Sequence, residues 1–287
     1  VAYRDELKSE QADVTKAIEA KLDETLDVQW NLTLAANIIS ANVLYKQIED
    51  IEKVDGVKKV VIETKYEPMV VDKDEAADPN MATSTKQTGS DLAWAAGYTG
   101  AGSKVAVIDT GIDYEHQSFS AAGYEYSMAL NAAAAHMTLD EYKESVGVLE
   151  KADLTDEVLG QLNVKVNADK VYLNSKIPFA YNYIDKNYTV NHMSDSQGEH
   201  GSHVEGIAAA NKYIQNDDGT FTSALDSVMV QGVAPDAQIV TMKVFGAGGG
   251  AYDSDYMAAI EDAVVLGCDS VNLSLGSGNP GFSRSDE

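Results

Sequence analysis

The chain has 287 residues, enough for one large α/β domain or for a small domain followed by a larger one. Its 46 Asp+Glu against 21 Lys+Arg give a formal net charge of −25, a field that repels nucleic acid and anionic lipid and removes both as expected partners. The single cysteine, Cys268, excludes an intrachain disulfide, and no run of about 18 apolar residues offers a membrane span.

Leu7, Val14, Ile18 and Leu22 recur at helical spacing. Leu26, Val28, Trp30, Leu32 and Leu34 then alternate strictly, which predicts a half-buried strand with one polar face. Leu44, Ile48 and Ile51 predict a second, short helix, and Asp55-Gly56 a turn into a strand from Val57 to about Glu67. Residues 1–67 therefore read as a small α+β unit, an open-faced sandwich of the ferredoxin-like kind. Residues 68–90 differ. Pro68, Asp72-Lys73-Asp74-Glu75 and Asp78-Pro79-Asn80 bring breakers and charge with few apolar anchors, so an exposed, protease-accessible linker is expected.

Residues 91–287 read as a second unit. Lys104 to Ile108, Ala237 to Phe245 and Asp269 to Leu275 are apolar strands. Val204 to Ala210 is a small-residue helix, and Met257, Ile260 and Val264 mark another, closed by Gly267. Strands alternating with helices predict a parallel sheet covered on both faces. Residues 113–199 break the rhythm, with a helix over Leu139 to Leu149, and are expected to be a surface insert. Cys268, between helix and strand, is expected to be a buried small residue rather than a reactive thiol. The chain opens on Val1 with no basic-then-apolar leader, so any such segment is expected to have been removed.

Two segments carry chemistry. Val105-Ala106-Val107-Ile108-Asp109-Thr110-Gly111 puts a carboxylate at the carboxyl end of a buried strand, where open parallel sheets hold their sites. Glu199-His200-Gly201-Ser202-His203-Val204-Glu205-Gly206 puts a histidine at the mouth of a small-residue helix. A carboxylate accepting the imidazole Nδ1–H, in the order Asp then His, is two thirds of an Asp-His-Ser triad. Each residue alone has a plainer reading: Asp109 as a turn cap, His200 as a structural histidine. A single Asp-Thr-Gly in an α/β setting does not make an aspartic protease, which needs two. His200 and His203 with Glu199 and Glu205 could imitate a metal cluster, but the spacing is not HExxH and indicates no third ligand.

Together these segments resemble the subtilases, the subtilisin-like serine proteases. His200-Gly201-Ser202-His203-Val204-Glu205-Gly206 resembles the family's HGTHVAG motif, with Ser202 for Thr and, less ordinarily, Glu205 for Ala. Gly232-Val233-Ala234-Pro235-Asp236-Ala237, Lys243-Val244-Phe245-Gly246 with Gly248-Gly249-Gly250, and Val271-Asn272-Leu273-Ser274-Leu275-Gly276 follow in the family's order. The long insert, its KIPFAYNYID segment and Ala258 to Gly267 are similar to the lactocepin-like cell-envelope proteinases of bacteria. The resemblance implies an incomplete subtilisin-like parallel sheet flanked by helices. It makes residues 1–67 an inhibitory propeptide acting in cis, whose tail threads the active site and is cut at roughly residues 67–82. Asp109 and His200 would be catalytic. An extended peptide substrate would pair with Gly248, Gly249 and Gly250 on one side and Ser274, Leu275 and Gly276 on the other. Phe245, Tyr252 and Leu275 are candidate walls of an apolar subsite, or ordinary core. Catalysis would need no cofactor; structural calcium is implied by the family, with no ligands assignable. A secreted or cell-surface setting is expected.

No serine here stands in the family's GTSMAAP-type context: Ser202, Ser274, Ser277, Ser283 and Ser285 all lie elsewhere. The nucleophile and the oxyanion-hole Asn are therefore expected beyond Glu287, in the remainder of the catalytic domain, and this segment alone is expected to be inactive. The alternative from another class is a noncatalytic pseudoprotease or peptide-binding scaffold. A metal hydrolase built on His200 and His203 is a third possibility.

Overall fold

A computed structural model describes residues 2–68, 81–192, 195 and 197–276. Helix α1 (Ala2–Leu22) carries Asp5 in its first turn and Lys21 in its last, complementing the helix dipole. Leu7, Gln11 and Ile18 are its buried stripe, and Gln11 Nε2 donates to the Leu32 carbonyl at 2.8 Å. Strands β1 (Asp27–Leu32) and β2 (Ile38–Asn42) form an antiparallel hairpin, followed by the single turn α2 (Ile48–Ile51).

The expected strict alternation in β1 is broken by a bulge between Val28 and Trp30. One extra residue reverses the facing of everything after it. Val28 and Ala41 pack with Ile18, Leu26, Ile51 and Val54, whereas Trp30 and Leu32 turn away into the main core of the molecule. One short strand thus serves two cores. Among the described residues this sheet has two strands. The strand expected from Val57 to Glu67 shrinks to β3 (Lys65–Pro68), which pairs far away.

The expected linker at 68–90 lies partly outside the described residues, as does most of the expected cleavage interval. Its last part is helical: α3 (Met81–Thr88) leads into α4 (Ser90–Ala95). Then come β4 (Lys104–Asp109), α5 (Ala121–Ala134), α6 (Leu139–Val146), α7 (Asp156–Leu159), α8 (Ala168–Val171) and β5 (Phe179–Asn182). Helix α9 (His200–Ala209), hairpin strands β6 (Tyr213–Gln215) and β7 (Phe221–Ser223), and α10 (Ala224–Ser227) precede β8 (Gln238–Lys243). The described chain closes with β9 (Ala251–Tyr252), α11 (Asp253–Val265), β10 (Ser270–Leu273) and β11 (Leu275–Gly276).

The central sheet has the order β10-β4-β8-β5, all parallel. Alternation decides its faces. Ala106, Ile108, Phe179, Tyr181, Val240 and Met242 point toward Ala258, Ala259 and Ala263 of α11. Those alanines let the helix lie close to the sheet. Ala180, Ala237 and Ile239 point the other way, toward Ala209 of α9. The fold is thus mixed α/β with a parallel sheet between helices, as expected from the periodicity. The insert is not wholly a surface elaboration, however. Its Phe179–Asn182 stretch is buried at every position and pairs with β8 as a sheet strand.

The front unit docks on α11 through polar groups. Glu261 Oε1 accepts the backbone N–H groups of Thr33, Leu34 and Ala35 at 2.9, 2.5 and 2.8 Å. Trp30 Nε1 donates to Asp255 Oδ1 at 2.8 Å, and the Ser40 and Ser254 hydroxyls meet at 2.9 Å. The insert joins in: Arg4 Nη1 donates to the Gln161 carbonyl at 2.7 Å, and Lys186 Nζ donates to Gln29 Oε1 at 2.7 Å. Among the described residues no helix is long and apolar enough to cross a membrane.

Candidate active site

Asp109 ends β4, and its side chain is 1% exposed. Thr110 N–H donates to Asp109 Oδ1 at 2.6 Å, which holds the carboxylate against the turn. His200 opens α9, and its Nδ1 lies 2.7 Å from the same Oδ1. The histidine ring is 15% exposed, so it spans the buried carboxylate and the surface. Two residues separated by 91 positions are thereby brought together.

The approach of α9 to the β4 turn depends on a missing side chain. A Cβ at Gly201 would stand 2.2 Å from the Gly111 carbonyl oxygen. Gly201 N–H donates to Thr110 Oγ1 at 2.9 Å, and Asp113 N–H to Ser202 Oγ at 2.8 Å, so the helix mouth is tied to the turn twice. Ser202 thus supplies the hydroxyl that the family's Thr would. Lys243, opposite Asp109 in the ladder, is buried, pairs with Asp195 Oδ2 at 2.8 Å and donates to the Thr110 carbonyl. Neither Lys243 nor Asp195 was singled out from sequence; a lysine in the apolar run at 237–245 was the available signal.

A second cluster is a small three-stranded sheet. Strand β3 lies in its middle, antiparallel to β9 through Lys65–Tyr252 and Tyr66–Ala251, and to β11 through Glu67–Gly276 and Pro68–Leu275. An extended segment from the front unit thus occupies a cleft between two loop-borne edges. Leu275 and Gly276 lie on one edge, while Ser274 sits just before it with its hydroxyl on Asn272 Oδ1 at 3.0 Å. The other edge lies just beyond the glycine loop. It runs along Ala251–Tyr252 instead of Gly248–Gly250, because Gly249 and Gly250 take positive φ values of 71° and 76° that interrupt an extended ladder. Gly250 still shapes the cleft: a Cβ there would stand 2.1 Å from the Lys65 side chain. Gly248 is exposed, and a Cβ added there would meet nothing among the described residues.

Of the candidate subsite walls, Phe245 is fully buried in the main core and Tyr252 is 38% exposed. Leu275 packs at the core margin together with Tyr66, whose ring meets Tyr256 edge-on at 5.8 Å. Tyr256 was missed because it reads as an ordinary helix position.

His203 is exposed and does not join His200. Among the described residues no group of three His, Cys, Asp or Glu side chains comes together to hold a metal. Cys268 is half-buried at the margin of the main core, short of the full burial expected, and that burial pushes its thiol up to about 12, which suits an inert residue. Ser277, Ser283 and Ser285 lie outside the described residues.

The sequence profile of the subtilase family matches residues 100–286. The PI-type proteinase of Lactococcus lactis subsp. cremoris is 28% identical over 274 residues, which are 93% of this chain and 12% of that relative. The minor extracellular protease Vpr of Bacillus subtilis (strain 168) is 29% identical over 219 residues, 74% of this chain and 19% of Vpr. A C5a peptidase of Streptococcus pyogenes serotype M3 is 27% identical over 180 residues, 62% of this chain and 12% of the peptidase. The chain thus covers only a small share of the length of these relatives. The family match takes in most of the chain, including the segments that bring Asp109 to His200, and the chain belongs to the subtilase family of serine proteases.

Proposed function

We propose that this chain is the front part of a serine endopeptidase precursor, secreted or held at a bacterial surface, in which Asp109 and His200 are two members of an Asp-His-Ser triad. The observation that carries this reading is the 2.7 Å contact between Asp109 Oδ1 and His200 Nδ1 at the carboxyl end of a parallel strand. With Nδ1–H given to Asp109, Nε2 keeps its lone pair and is the base. It takes the proton of a serine as that hydroxyl attacks the scissile carbonyl, then delivers it to the leaving amine. Asp109 holds the ring's tautomer and stabilises the imidazolium formed between those steps. The serine and the oxyanion-hole Asn come from downstream sequence, so this segment alone does not turn over. The exposed Val271 and Leu273 on edge strand β10 fit a sheet continued by that sequence.

In the same reading residues 1–67 are the inhibitory propeptide and residues 91–287 the start of the catalytic domain, joined by a segment cut at roughly residues 67–82. Strand β3 lies as a peptide substrate would, paired on both sides by backbone hydrogen bonds. Extracellular placement is supported by the name of the Bacillus relative. Catalysis uses no cofactor; calcium, where bound, is structural.

The test is made on the full-length protein. His200→Ala should lower kcat on a fluorogenic peptide by roughly 10⁴- to 10⁶-fold, and Asp109→Asn by roughly 10⁴-fold. Both should lose labelling by a fluorophosphonate. Undiminished turnover in either variant overturns the triad. Peptide binding by the unsubstituted protein without any labelling would leave the noncatalytic scaffold in its place.

A further inference from the structure

Glu205 stands where the family motif has alanine, and the fold puts it in an unusual position. It lies on α9 beyond His200, its side chain 1% exposed, with Oε1 accepting the Thr241 hydroxyl at 2.8 Å. Thr241 pairs with Val107 and Lys243 with Asp109 in the β4–β8 ladder. Glu205 therefore sits one pleat behind Asp109, on the same face of the sheet. Each residue has one orphan: Glu205 Oε2 and Asp109 Oδ2 are both buried, with no hydrogen-bond partner among the described residues.

The charged groups around Glu205 are few. From β4 there is Asp109. From β8 there is Lys243, already paired with Asp195. On α9 itself His200 is held by Asp109, and His203 is exposed. At the helix mouth Glu199 is exposed and is met by Ser202 and His192. Among the described residues no free cation faces Glu205. A carboxylate buried without one is costly, and such a group keeps its proton instead. Burial and, after it, the charge of Asp109 hold the Glu205 carboxyl well above the usual range, against the opposing Thr241 bond. A neutral carboxyl has an O–H to donate, and Asp109 Oδ2 is the acceptor without a donor.

We propose that Glu205 is a positioning residue for the Asp109–His200 pair: a protonated acid whose O–H is given to Asp109 Oδ2, directly or through one water. Asp109 then uses one oxygen for His200 and the other for Glu205. The donor spreads the Asp109 charge and moderates its pull on an imidazolium. No proton leaves Glu205. The catalytic consequence rests on the triad reading; the hydrogen bond itself does not.

The experiment follows the His200 ring by NMR across pH in this chain, without substrate. Glu205→Gln keeps a donor and carries no charge, so the pH at which the ring titrates should stay put. Glu205→Met fills the space but removes the donor, so that pH should rise by roughly half a unit to one unit. A fall in Glu205→Gln would mean that the native residue is an anion, and overturns the proposal. No movement in either variant would make Glu205 a core filler, and also overturns it. Should Glu205→Met not fold, the ¹³C-carboxyl shift of native Glu205 decides instead. It must stay at the protonated position from about pH 5 to about pH 8. Because no turnover is involved, this result stands apart from the labelling test of the protease reading.

Discussion

On one side of the central sheet, α11 presents Asp255, Glu261 and Asp262, all buried, and every one of them is supplied with donors. On the other side, α9 and the sheet bury Glu205 and Asp109, and each keeps an oxygen with no partner among the described residues. The acids on the α11 side fasten things together: Glu261 and Asp255 hold the front unit, and Asp262 holds Asn163 N–H at 2.7 Å and the Tyr183 hydroxyl at 3.0 Å. On the α9 side Asp109 meets His200, and Glu205 lies behind it on Thr241. Buried carboxylates of equal burial thus differ in what they are for, and hydrogen-bond satisfaction separates them.

Substitutions can break that contrast. The largest effect is expected from Glu261→Ala, which strips one buried and two half-buried backbone donors, together with Arg4, of their acceptor. Urea unfolding should show a loss of about 3–5 kcal/mol. An unchanged midpoint would mean that the α11 acids are not fasteners. Gly201→Ala attacks the other side, pushing α9 off the β4 turn at a cost of about 1–3 kcal/mol. Its low-field His200 Nδ1–H resonance should vanish as well. Trp30→Phe keeps the ring but deletes the donor to Asp255, and should cost about 1–2 kcal/mol with the α9 side unaffected.

The smallest effect is a slope. Burial, outweighing the hydrogen bonds around each group, raises Asp262 to about 7 and Asp255 to about 6. Unfolded, both fall back to the ordinary value of about 4. Between those limits the folded chain holds protons that the unfolded chain has released, so the contribution of these two groups is full below about pH 4 and is lost as pH rises to about 7. Asp262→Asn should flatten that decline in unfolding midpoints measured across the interval. A slope identical to that of the unsubstituted chain would show that Asp262 titrates normally.

Much of this was legible beforehand for simple reasons. Lys104 to Ile108 and Ala237 to Phe245 are apolar runs with no competing period, and their strands appear where expected. Asp109 and His200 sit at element ends, where motif letters and geometry coincide. What escaped has a common cause. Ile38–Asn42 is a five-residue strand whose polar Ser40 is explained by Glu63 and Ser254, 23 and 214 positions away. The bulge that reverses β1 leaves no mark in its apolar alternation. Helix α3 hides in a Ser/Thr-rich stretch that reads as linker, and β5 hides in an insert too long to be expected inside a sheet. Glu205 was visible as a departure from a motif, but its partner Thr241 and its neighbour Asp109 come from other parts of the chain.

The three-stranded sheet around β3 also has a meaning in time. Its strands come from distant parts of the described chain, and the neighbouring contact from Thr64 N–H to Asp253 Oδ2 already closes a separation of 189 residues. Such a contact brings its full loop-closure entropy cost before it returns anything. The local hairpin β1–β2 and the helices can form early, whereas the β9–β3–β11 ladder waits until both halves have taken shape and met. The cleft that grips an extended chain is therefore a late product of folding, completed at the moment the front unit lands on α11.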